Sequence, residues 1–342
     1  MDVVRLAVQR LANDHLLDSS LTIVWHAGEP LVLPPSYYEE AFDTVNRALE
    51  VGCEVTHSIQ TNGTLIADAW CDLFKRHRVR VGVSVDGPRE LHDRHRLTRD
   101  GKGTHHQVIA GMELLRKHDI PFHAIAVVTR DSLGRALEMS DFFLEQGVSE
   151  VGLNFDEAEG VNASSSLQGM EQAHRSFLAQ MLERSIETNG RLRVREFANA
   201  LRVIACDPAP STYDMQIFPD NAQVLPFAIV TVACNGDFST FSPELVGQQN
   251  ADYSSFVLGN VSSTGYFEAA TTEAFGRLWR DIRKGISACE SQCAHFKYCG
   301  GGAPVNKLYE NGTLASAETL YCRSMLKRPF DLVLGAIEKG QL

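Results

Sequence analysis

Four cysteines near the C-terminus have the residue type and spacing for the most specific chemistry in this chain. Cys289, Cys293 and Cys299 fall within eleven residues, and Cys322 follows 23 residues later. Thiolates at such spacing can converge on one centre and hold either zinc or an iron–sulfur cluster. Three glycines follow Cys299, and their N–H groups could point at sulfur. The spacing therefore predicts one four-ligand metal site, and thiolate ligands alone leave zinc and iron–sulfur both open.

A second group of residues that could bind a ligand follows an apolar segment near the N-terminus. Residues 21–25 are mostly apolar and β-branched, and Pro30 ends any strand that they form. Gly28 would let the backbone approach a small molecule closely, and Glu29 would offer acceptors to an ammonium group. A β-turn with a solvated glutamate is the alternative. The ligand-binding interpretation is favoured because four more strand-and-helix units follow.

The segments that must position these residues alternate between strand and helix patterns. Strands are predicted at 21–25, 54–59, 79–85, 122–128 and 150–154. Helices are predicted at 2–17, 36–50, 67–77, 104–118, 132–146, 167–188 and 195–206. This alternation predicts an α/β fold with parallel strands and right-handed crossovers. Such folds bind ligands at the C-terminal ends of their strands, where the polar turns of this chain lie.

After residue 190 the pattern changes. A connector is expected up to residue 226, then a β-hairpin over 227–241 that turns at Asn235-Gly236. A short strand at 256–258 and a helix at 265–284 precede the cysteines. The predicted domains are 1–190, a connector at 191–226, and 227–342.

Composition excludes several functional classes. The net charge of −11 over 342 residues, with scattered basic residues, argues against a nucleic-acid partner. The sequence has no long apolar run that would span a membrane and no signal-peptide pattern, so we expect a cytoplasmic location without a membrane partner. In that reducing compartment the eight cysteines are expected to be thiols or metal ligands rather than disulfides.

Several short motifs follow one another along the chain: Ala27-Gly28-Glu29-Pro30, Gln60-Thr61-Asn62-Gly63, Ser84-Val85-Asp86-Gly87-Pro88, Arg96 and the four-cysteine array. This ordered set resembles radical S-adenosylmethionine (SAM) enzymes that carry a C-terminal SPASM domain. The segments 241–245, 258–261 and 299–307 are most similar to peptide maturases that cross-link side chains of ribosomally made peptides. Anaerobic sulfatase-maturing enzymes are better-known relatives. The resemblance implies a partial (β/α)6-type barrel lacking its first strand, plus a small Cys-rich SPASM domain.

The resemblance also implies roles for individual residues. Gly28 and Glu29 would receive the amino group of S-adenosylmethionine, while Ser84 and Arg96 would hold its carboxylate; Asn62 would belong to the same cofactor site. Position 27 is glycine in the family, and the alanine here is expected to be tolerated because alanine adopts ordinary backbone angles.

The resemblance further implies one auxiliary [4Fe–4S] cluster on Cys289, Cys293, Cys299 and Cys322. The family's Cys-x3-Cys-x2-Cys loop, whose cluster cleaves S-adenosylmethionine, is absent from the sequence. A second [4Fe–4S] cluster is therefore expected only if a missing N-terminal segment supplies its ligands, and the chain as written is expected not to generate the radical.

The implied activity is radical modification of a precursor peptide or protein, with an external electron donor as a further partner. Glu244 and Asp237 are the candidate acceptors of a substrate proton, with ordinary turn polarity as the alternative for both. The competing hypothesis is a non-catalytic, degenerate relative that binds a peptide or partner enzyme and keeps one structural metal site.

Overall fold

A six-stranded parallel sheet forms the first half of the computed structural model, which describes residues 1–49, 52–148, 150–158, 162, 164–206, 211–213, 216–218 and 221–342. Its strands are β1 (Ser20–Trp25), β2 (Glu54–Thr61), β3 (Arg80–Ser84), β4 (Phe122–Val128), β5 (Glu150–Phe155) and β6 (Arg193–Val194). They lie in chain order, and each neighbouring pair is parallel. The predicted α/β fold is confirmed. The sequence pattern did not indicate β6, because two residues are too short to show a period.

Helices connect these strands and cover one face of the sheet. They are α1 (Asp2–Asn13), α2 (Pro35–Ala48), α3 (Asp68–His77), α4 (Arg89–His95), α5 (His105–Lys117), α6 (Ala136–Glu145), α7 (Glu171–Glu187) and α8 (Arg195–Ala205). Five of them each bury a large apolar side chain in a single core with the strands: Phe42, Phe74, Met112, Phe143 and Phe177. Burial of that apolar area is the main force that holds the helices to the sheet.

The opposite face of the sheet is polar. On β2 and β3 the alternating side chains Gln60 and Ser84 point away from the helical core and bond to each other, with Gln60 Nε2 3.0 Å from Ser84 Oγ. Gly82 lies between such side chains, because a Cβ there would be 2.1 Å from Gln60 Oε1 and 2.6 Å from His123 Nε2. A parallel sheet covered on both faces would be apolar on both. The polar inner face is therefore suited to a ligand rather than to a second layer of helices.

The second half begins with small antiparallel sheets. Its strands are β7 (Ser211–Tyr213), β8 (Gln216–Phe218), β9 (Val230–Val232), β10 (Asp237–Thr240) and β11 (Gly259–Asn260). The predicted hairpin is confirmed: β9 and β10 pair antiparallel, and Gly236 takes φ +92° in the turn. The predicted strand at 256–258 is wrong, since Phe256 has φ +52° and the pairing starts at Gly259. A left-handed residue interrupts the extended backbone that a strand needs.

Helices complete the second half and carry the cysteines. They are α9 (Tyr266–Ala270), α10 (Glu273–Gln292), α11 (Phe296–Cys299), α12 (Pro304–Asn311) and α13 (Arg328–Glu338), with a π-helical turn over Cys322–Lys327 leading into α13. The prediction of a single helix at 265–284 is wrong, because α9 ends at Ala270 and α10 begins only at Glu273. Thr272 Oγ1 accepts a hydrogen bond from Phe275 N at 3.2 Å and so caps a new helix there.

Each terminal helix packs against a hydrophobic core in the opposite half of the chain. The first core joins the sheet to Val333 and Ala336 of α13. The second core is formed by residues 224–314, and Leu6 and Leu11 of α1 pack against it. The domain boundaries at 190 and 226 stay a prediction, and part of that connector lies outside the described residues. No helix in the described part of the chain is long and apolar enough to cross a membrane.

Candidate active site at the C-terminal edge of the sheet

Glu29 follows β1 and is fixed by groups at the end of β2. Its Oε1 accepts hydrogen bonds from Leu31 N at 3.0 Å and Thr61 Oγ1 at 2.6 Å, and its Oε2 accepts one from Asn62 N at 2.7 Å. A carboxylate has about four acceptor positions. Three are used, so one position on Oε2 remains for an external donor such as an ammonium group.

The turn before Glu29 is open to a ligand. Ala27 and Gly28 are exposed, and a Cβ at Gly28 would meet nothing within 4 Å. Both residues take left-handed backbone angles, with φ +68° at Ala27 and +62° at Gly28. The expectation that Ala27 adopts ordinary backbone angles is therefore wrong. The left-handed region disfavours every residue with a Cβ, so Ala27 holds a strained conformation at this open turn.

Asn62 and Ser84 lie at the C-terminal ends of β2 and β3. Asn62 binds Glu29 through its backbone, while its Oδ1 accepts bonds from Thr64 N and Thr64 Oγ1 at 2.9 and 2.7 Å. It therefore positions Glu29 and shapes the turn. Ser84 is half-buried on the inner face, where its oxygen accepts the Gln60 bond and its hydroxyl proton stays available to donate.

Arg96 is held by a residue whose role the sequence did not reveal. Asp86, which is 6% exposed, takes a two-pronged pair from Arg96, with Nε–Oδ2 at 2.5 Å and Nη2–Oδ1 at 2.9 Å. Asp86 Oδ1 also accepts from Val127 N at 2.8 Å, which ties the pair to β4. Two of the five guanidinium N–H donors are used, so three remain for a ligand carboxylate. The signal for Asp86 was its place in the motif that follows β3.

These contacts join consecutive strand ends along one edge of the sheet. Glu29 bonds to the end of β2, Gln60 of β2 bonds to Ser84 of β3, and Asp86 after β3 bonds to β4. The edge thus offers a carboxylate acceptor at one end and guanidinium donors at the other. A small zwitterion with an ammonium and a carboxylate group has matching chemistry. That the cofactor residues Gly28, Glu29, Asn62, Ser84 and Arg96 share one ligand stays a prediction.

A cleft of about 360 Å³ lies farther along the same edge, beyond β5. One side is formed by residues 155–158 at the end of β5 and by residues between 164 and 171. The other side is formed by residues 309–311, 318–321 and 323–325, and the last three lie in the π-helical turn that begins at Cys322. Glu157 lines this cleft, and its Oε2 accepts a hydrogen bond from Asn306 Nδ2 of α12. The cleft therefore lies between the sheet and the cysteine-bearing segment.

Glu157 is an ionisable residue that the sequence analysis did not single out. Burial raises its pKa to about 7, Asn306 opposes that shift, and the nearby carboxylates Glu244, Glu310 and Asp156 raise the pKa further. A carboxyl group with a pKa near neutrality can both accept and return a proton. Its position directly after β5, like the polar turns after the first three strands, is the signal that could have identified it.

The two predicted proton acceptors differ in their surroundings. Glu244 accepts a hydrogen bond from Ser242 Oγ and lies close enough to Glu157 to raise its pKa. Asp237 instead bonds to Asn235 Nδ2 at 2.7 Å and Asn260 Nδ2 at 2.9 Å, within the hairpin turn. These contacts favour ordinary turn polarity for Asp237. Catalysis by either residue stays a prediction.

The four predicted metal ligands are neighbours with a shared electrostatic environment. The thiols of Cys293 and Cys322 each affect the pKa of both Cys289 and Cys299. Burial raises the pKa of the Cys289 and Cys299 thiols. A Cβ at Gly302 would lie 3.0 Å from Cys322 Sγ, so this glycine makes room for the sulfur. Among the described residues, no three His, Cys, Asp or Glu side chains gather closely enough to hold a metal ion.

Donor groups surround these sulfurs. Backbone N–H groups of Gly301 and Gly302 donate to Cys299 and lower its thiol pKa, against the larger effect of burial. Lys307 Nζ lies 3.3 Å from Cys289 Sγ, and Lys327 hydrogen-bonds the Cys293 thiol. Four thiols with glycine amides and cations as donors fit an anionic iron–sulfur cluster in chemical type.

Comparison with known proteins gives matches over the first half and over the whole chain. The family described as the radical SAM superfamily matches residues 7–143. An uncharacterised protein of Synechocystis sp. is 38% identical over 346 aligned positions, which cover 99% of this chain and 85% of that protein. The serine-type anaerobic sulfatase-maturating enzyme of Bacteroides thetaiotaomicron is 40% identical over 121 residues, covering 35% of this chain but only 29% of the enzyme.

Solved structures with the same fold include those of anSMEcpe and SuiB. The structure of anSMEcpe with bound AdoMet has a TM-score of 0.77 at 21% identity and covers 99% of this chain and 89% of its own. Streptococcus suis SuiB bound to precursor peptide SuiA has a TM-score of 0.59 at 15% identity, covering 94% of this chain and 68% of its own. Likeness at such low identity concerns the fold.

Proposed function

The chain belongs to the radical SAM superfamily, and we propose that within it this protein modifies a ribosomally made precursor peptide by cross-linking its side chains. The observation that carries this proposal is the position of the Glu157 cleft. One wall of the cleft follows β5, at the same edge of the sheet as the predicted cofactor residues, and the other includes Ser324 and Met325 of the π-helical turn that begins at Cys322. A peptide side chain in the cleft would contact Glu157 and this turn.

The residues at the edge supply binding and orientation. Glu29, held by β2, would take the ammonium group of S-adenosylmethionine on its remaining acceptor position. Arg96, braced by Asp86, would direct its spare N–H donors at the carboxylate, with Ser84 Oγ as a further donor. Prior fixation of these groups lowers the entropy cost of binding. S-adenosylmethionine with its iron–sulfur partner would supply hydrogen abstraction from substrate carbon, chemistry that belongs to the cofactors.

The residues in the cleft would handle the proton. Glu157 Oε1 or Oε2 would accept a proton from the substrate side chain, because its pKa near 7 leaves part of it ionised at neutral pH. Asn306 holds this carboxylate in one orientation. Glu244 lies close enough to raise the pKa of Glu157 and is the second candidate for this role. Asp237 lies in the hairpin turn and is the weaker candidate.

Cys289, Cys293, Cys299 and Cys322 would hold one auxiliary [4Fe–4S] cluster. Cross-linking removes one hydrogen atom, one proton and one electron from the substrate; the hydrogen atom would go to the cofactor, the proton to Glu157, and this centre would be the acceptor for the electron.

The donors around the thiols, which include the amides of Gly301 and Gly302 and the ammonium group of Lys307, suit the charge of an anionic cluster. Four thiolates also suit zinc, so metal analysis of the anaerobically reconstituted protein tests this assignment. About four irons per chain are expected, and one zinc with no iron uptake would contradict it.

Calorimetric titration with S-adenosylmethionine tests the cofactor site. We expect Ser84→Ala to weaken binding at least fivefold, since it removes a hydrogen bond worth about 1 kcal/mol. Ser58→Ala, the same change two residues before Gln60 on β2, is the matched control and should bind like the wild type. Equal affinities for the two variants would contradict the assignment of Ser84.

Mass spectrometry tests the reaction. Peptides encoded beside the gene are incubated anaerobically with the protein, S-adenosylmethionine and dithionite, then digested. Fragments joined by a new covalent bond would confirm cross-linking. A mass change confined to one residue would contradict cross-linking. It would favour instead a maturation reaction of the kind for which the sulfatase-maturating relatives are named. Binding of S-adenosylmethionine and peptide without any product, in a chain whose iron content is verified, would favour the non-catalytic alternative.

A further inference from the structure

Lys307 is a buried lysine whose contacts do not include a carboxylate. Its residue is 1% exposed, and its Nζ donates to Gly285 O at 2.9 Å and to Cys289 Sγ at 3.3 Å. None of the ion pairs within the described residues includes Lys307. A buried charge is costly unless an opposite charge lies beside it. The thiol of Cys289 is the one neighbour in these contacts that becomes an anion when it binds a metal.

The packing around Lys307 places its ammonium group beside the Cys289 thiol. A Cβ at Gly285 of α10 would lie 3.1 Å from Lys307 Nζ and 2.3 Å from Leu314 O, so only glycine leaves space there. The preceding residue of α12, Asn306, reaches Glu157 in the cleft. The first turn of α12 therefore contacts both the cleft and the cysteines, and Lys307 is the residue on the cysteine side.

Lys327 provides a natural comparison within the same site. It hydrogen-bonds the Cys293 thiol, but its Nζ also lies 2.5 Å from Glu318 Oε1. Its side chain is 23% exposed, against 1% for the Lys307 residue. Water and Glu318 reduce the field of Lys327 at the sulfurs, whereas Lys307 acts in a poorly solvated interior.

We propose that Lys307 is the fixed positive charge of the thiol site and raises the reduction potential of the centre held by Cys289, Cys293, Cys299 and Cys322. The inference rests on the proposed function, since it requires that these residues bind an iron–sulfur cluster. One-electron reduction makes such a centre more negative, and the electron comes from dithionite in the test and from the substrate radical in the proposed cross-linking. A nearby cation stabilises the reduced form more than the oxidised form. Lys307 is thus a positioning and tuning residue that does not touch the substrate.

Redox titration of the full chain, reconstituted anaerobically, tests this role. Lys307→Met keeps an unbranched side chain of similar length but removes the charge, and Lys327→Met is the matched control. With iron and sulfide content equal to the wild type, the equilibrium constant for reduction of the Lys307→Met protein should fall at least tenfold, a shift of 59 mV for a one-electron couple. In the Lys327→Met protein the change should stay below threefold. Iron-loaded wild type and Lys307→Met with potentials that agree within threefold would overturn the inference.

Thermal unfolding of the metal-free proteins covers the case in which Lys307→Met takes up no cluster. A buried cation that awaits an anionic centre destabilises the metal-free fold, so the substitution should raise the unfolding temperature. A fall in that temperature, together with lost iron uptake, would mean that Lys307 only braces Gly285, and would overturn the inference. A wild-type chain that takes up zinc or no metal would instead remove the proposed auxiliary cluster, and the tuning role with it.

Discussion

The backbone of Ala27 is strained. Its φ of +68° puts a side chain into a region that costs an L-residue about 1–2 kcal/mol, and the following Gly28 takes a similar angle without that cost. The strain is located at the open turn before Glu29. Strained backbone tends to collect at ligand sites, where the surrounding structure enforces it.

Replacing Ala27 with glycine should therefore stabilise the protein. We expect Ala27→Gly to raise the free energy of unfolding by about 0.5–1 kcal/mol, since relief of strain exceeds the extra entropy of glycine in the unfolded chain. Gly28→Ala, one position later, should lower it by a similar amount. Urea unfolding measures both, and a change of the same sign in the two variants would contradict this account.

Glu157 should make stability depend on pH near neutrality. Its carboxyl pKa is raised from 4.5 to about 7, so the folded chain binds a proton that the unfolded chain releases between those values. The contribution to stability is fully present below pH 4.5 and is lost as the pH rises through 7. Burial is the largest cause of this shift, the carboxylates Glu244, Glu310 and Asp156 add to it, and the neutral Asn306 opposes it. Tyr321 and Arg323 line the same cleft.

Glu157→Gln isolates this contribution. The variant should be more stable than the wild type at pH 8 by on the order of 2 kcal/mol, and the difference should shrink toward pH 5. Glu183→Gln, on the exposed face of α7, is the control and should follow the wild type throughout. Thermal unfolding across this pH range measures the effect. An advantage of Glu157→Gln that grows at low pH would show that the carboxyl is not held protonated.

At the scale of elements, the Asp86–Arg96 pair fastens α4 and the segment after it to β4. Arg96→Ala should lower the free energy of unfolding by about 3 kcal/mol, because it leaves the buried carboxylate of Asp86 without its cation. The pair Arg89–Asp93 on the same helix is the control: Arg89 is 75% exposed, and Arg89→Ala should cost less than about 0.5 kcal/mol. Equal costs in urea unfolding would contradict the bracing role. This loss of stability is also why Ser84, rather than Arg96, is the better probe of cofactor binding.

In the sheet half of the chain, the sequence predicted the long elements well and the short ones poorly. Five strands and the longer helices between them follow from periodic apolar patterns. The seven-residue α4 was not predicted, and β6, like β11 in the second half, has two residues and depends on tertiary pairing. The partial barrel that the resemblance implies would leave an exposed apolar edge at 122–128 or 21–25. In the described sheet β1 pairs only with β2 and exposes Val24, so this edge lies at 21–25.

Some residues of the candidate site could be predicted from the sequence, and others could not. Glu29, Ser84 and Arg96 stand in recognisable motifs after strands. Glu157 and Lys307 acquire their properties from burial and from partners far away in the sequence, Asn306 and Gly285. Such tertiary effects on charge leave no mark on local spacing. The sequence therefore predicted the polar residues at the strand ends, and the fold was needed to find the buried partners of Glu157 and Lys307.

At the scale of the whole molecule, each end of the chain belongs to the core formed by the other half. Asp14, just after α1, accepts hydrogen bonds from Tyr266 N at 2.6 Å and Phe267 N at 3.2 Å and so caps α9. At the other end Arg328 of α13 bonds to the buried His174 of α7. Neither core is complete without a helix from the opposite terminus.

Cutting the chain between the halves should therefore yield pieces that fold only together. We expect residues 1–206 expressed alone to be insoluble or to unfold without cooperativity, because removing α13 exposes the apolar surface that Val333 and Ala336 cover. Expressed together with 207–342, they should be recovered as one complex with a single unfolding transition. Size-exclusion chromatography and calorimetry measure both results. Adding Asp14→Ala to the longer piece should weaken the complex by about 1 kcal/mol through loss of the cap on α9. A soluble 1–206 piece with its own sharp transition would show instead that the sheet half is an independent domain and that the crossed helices add nothing essential to it.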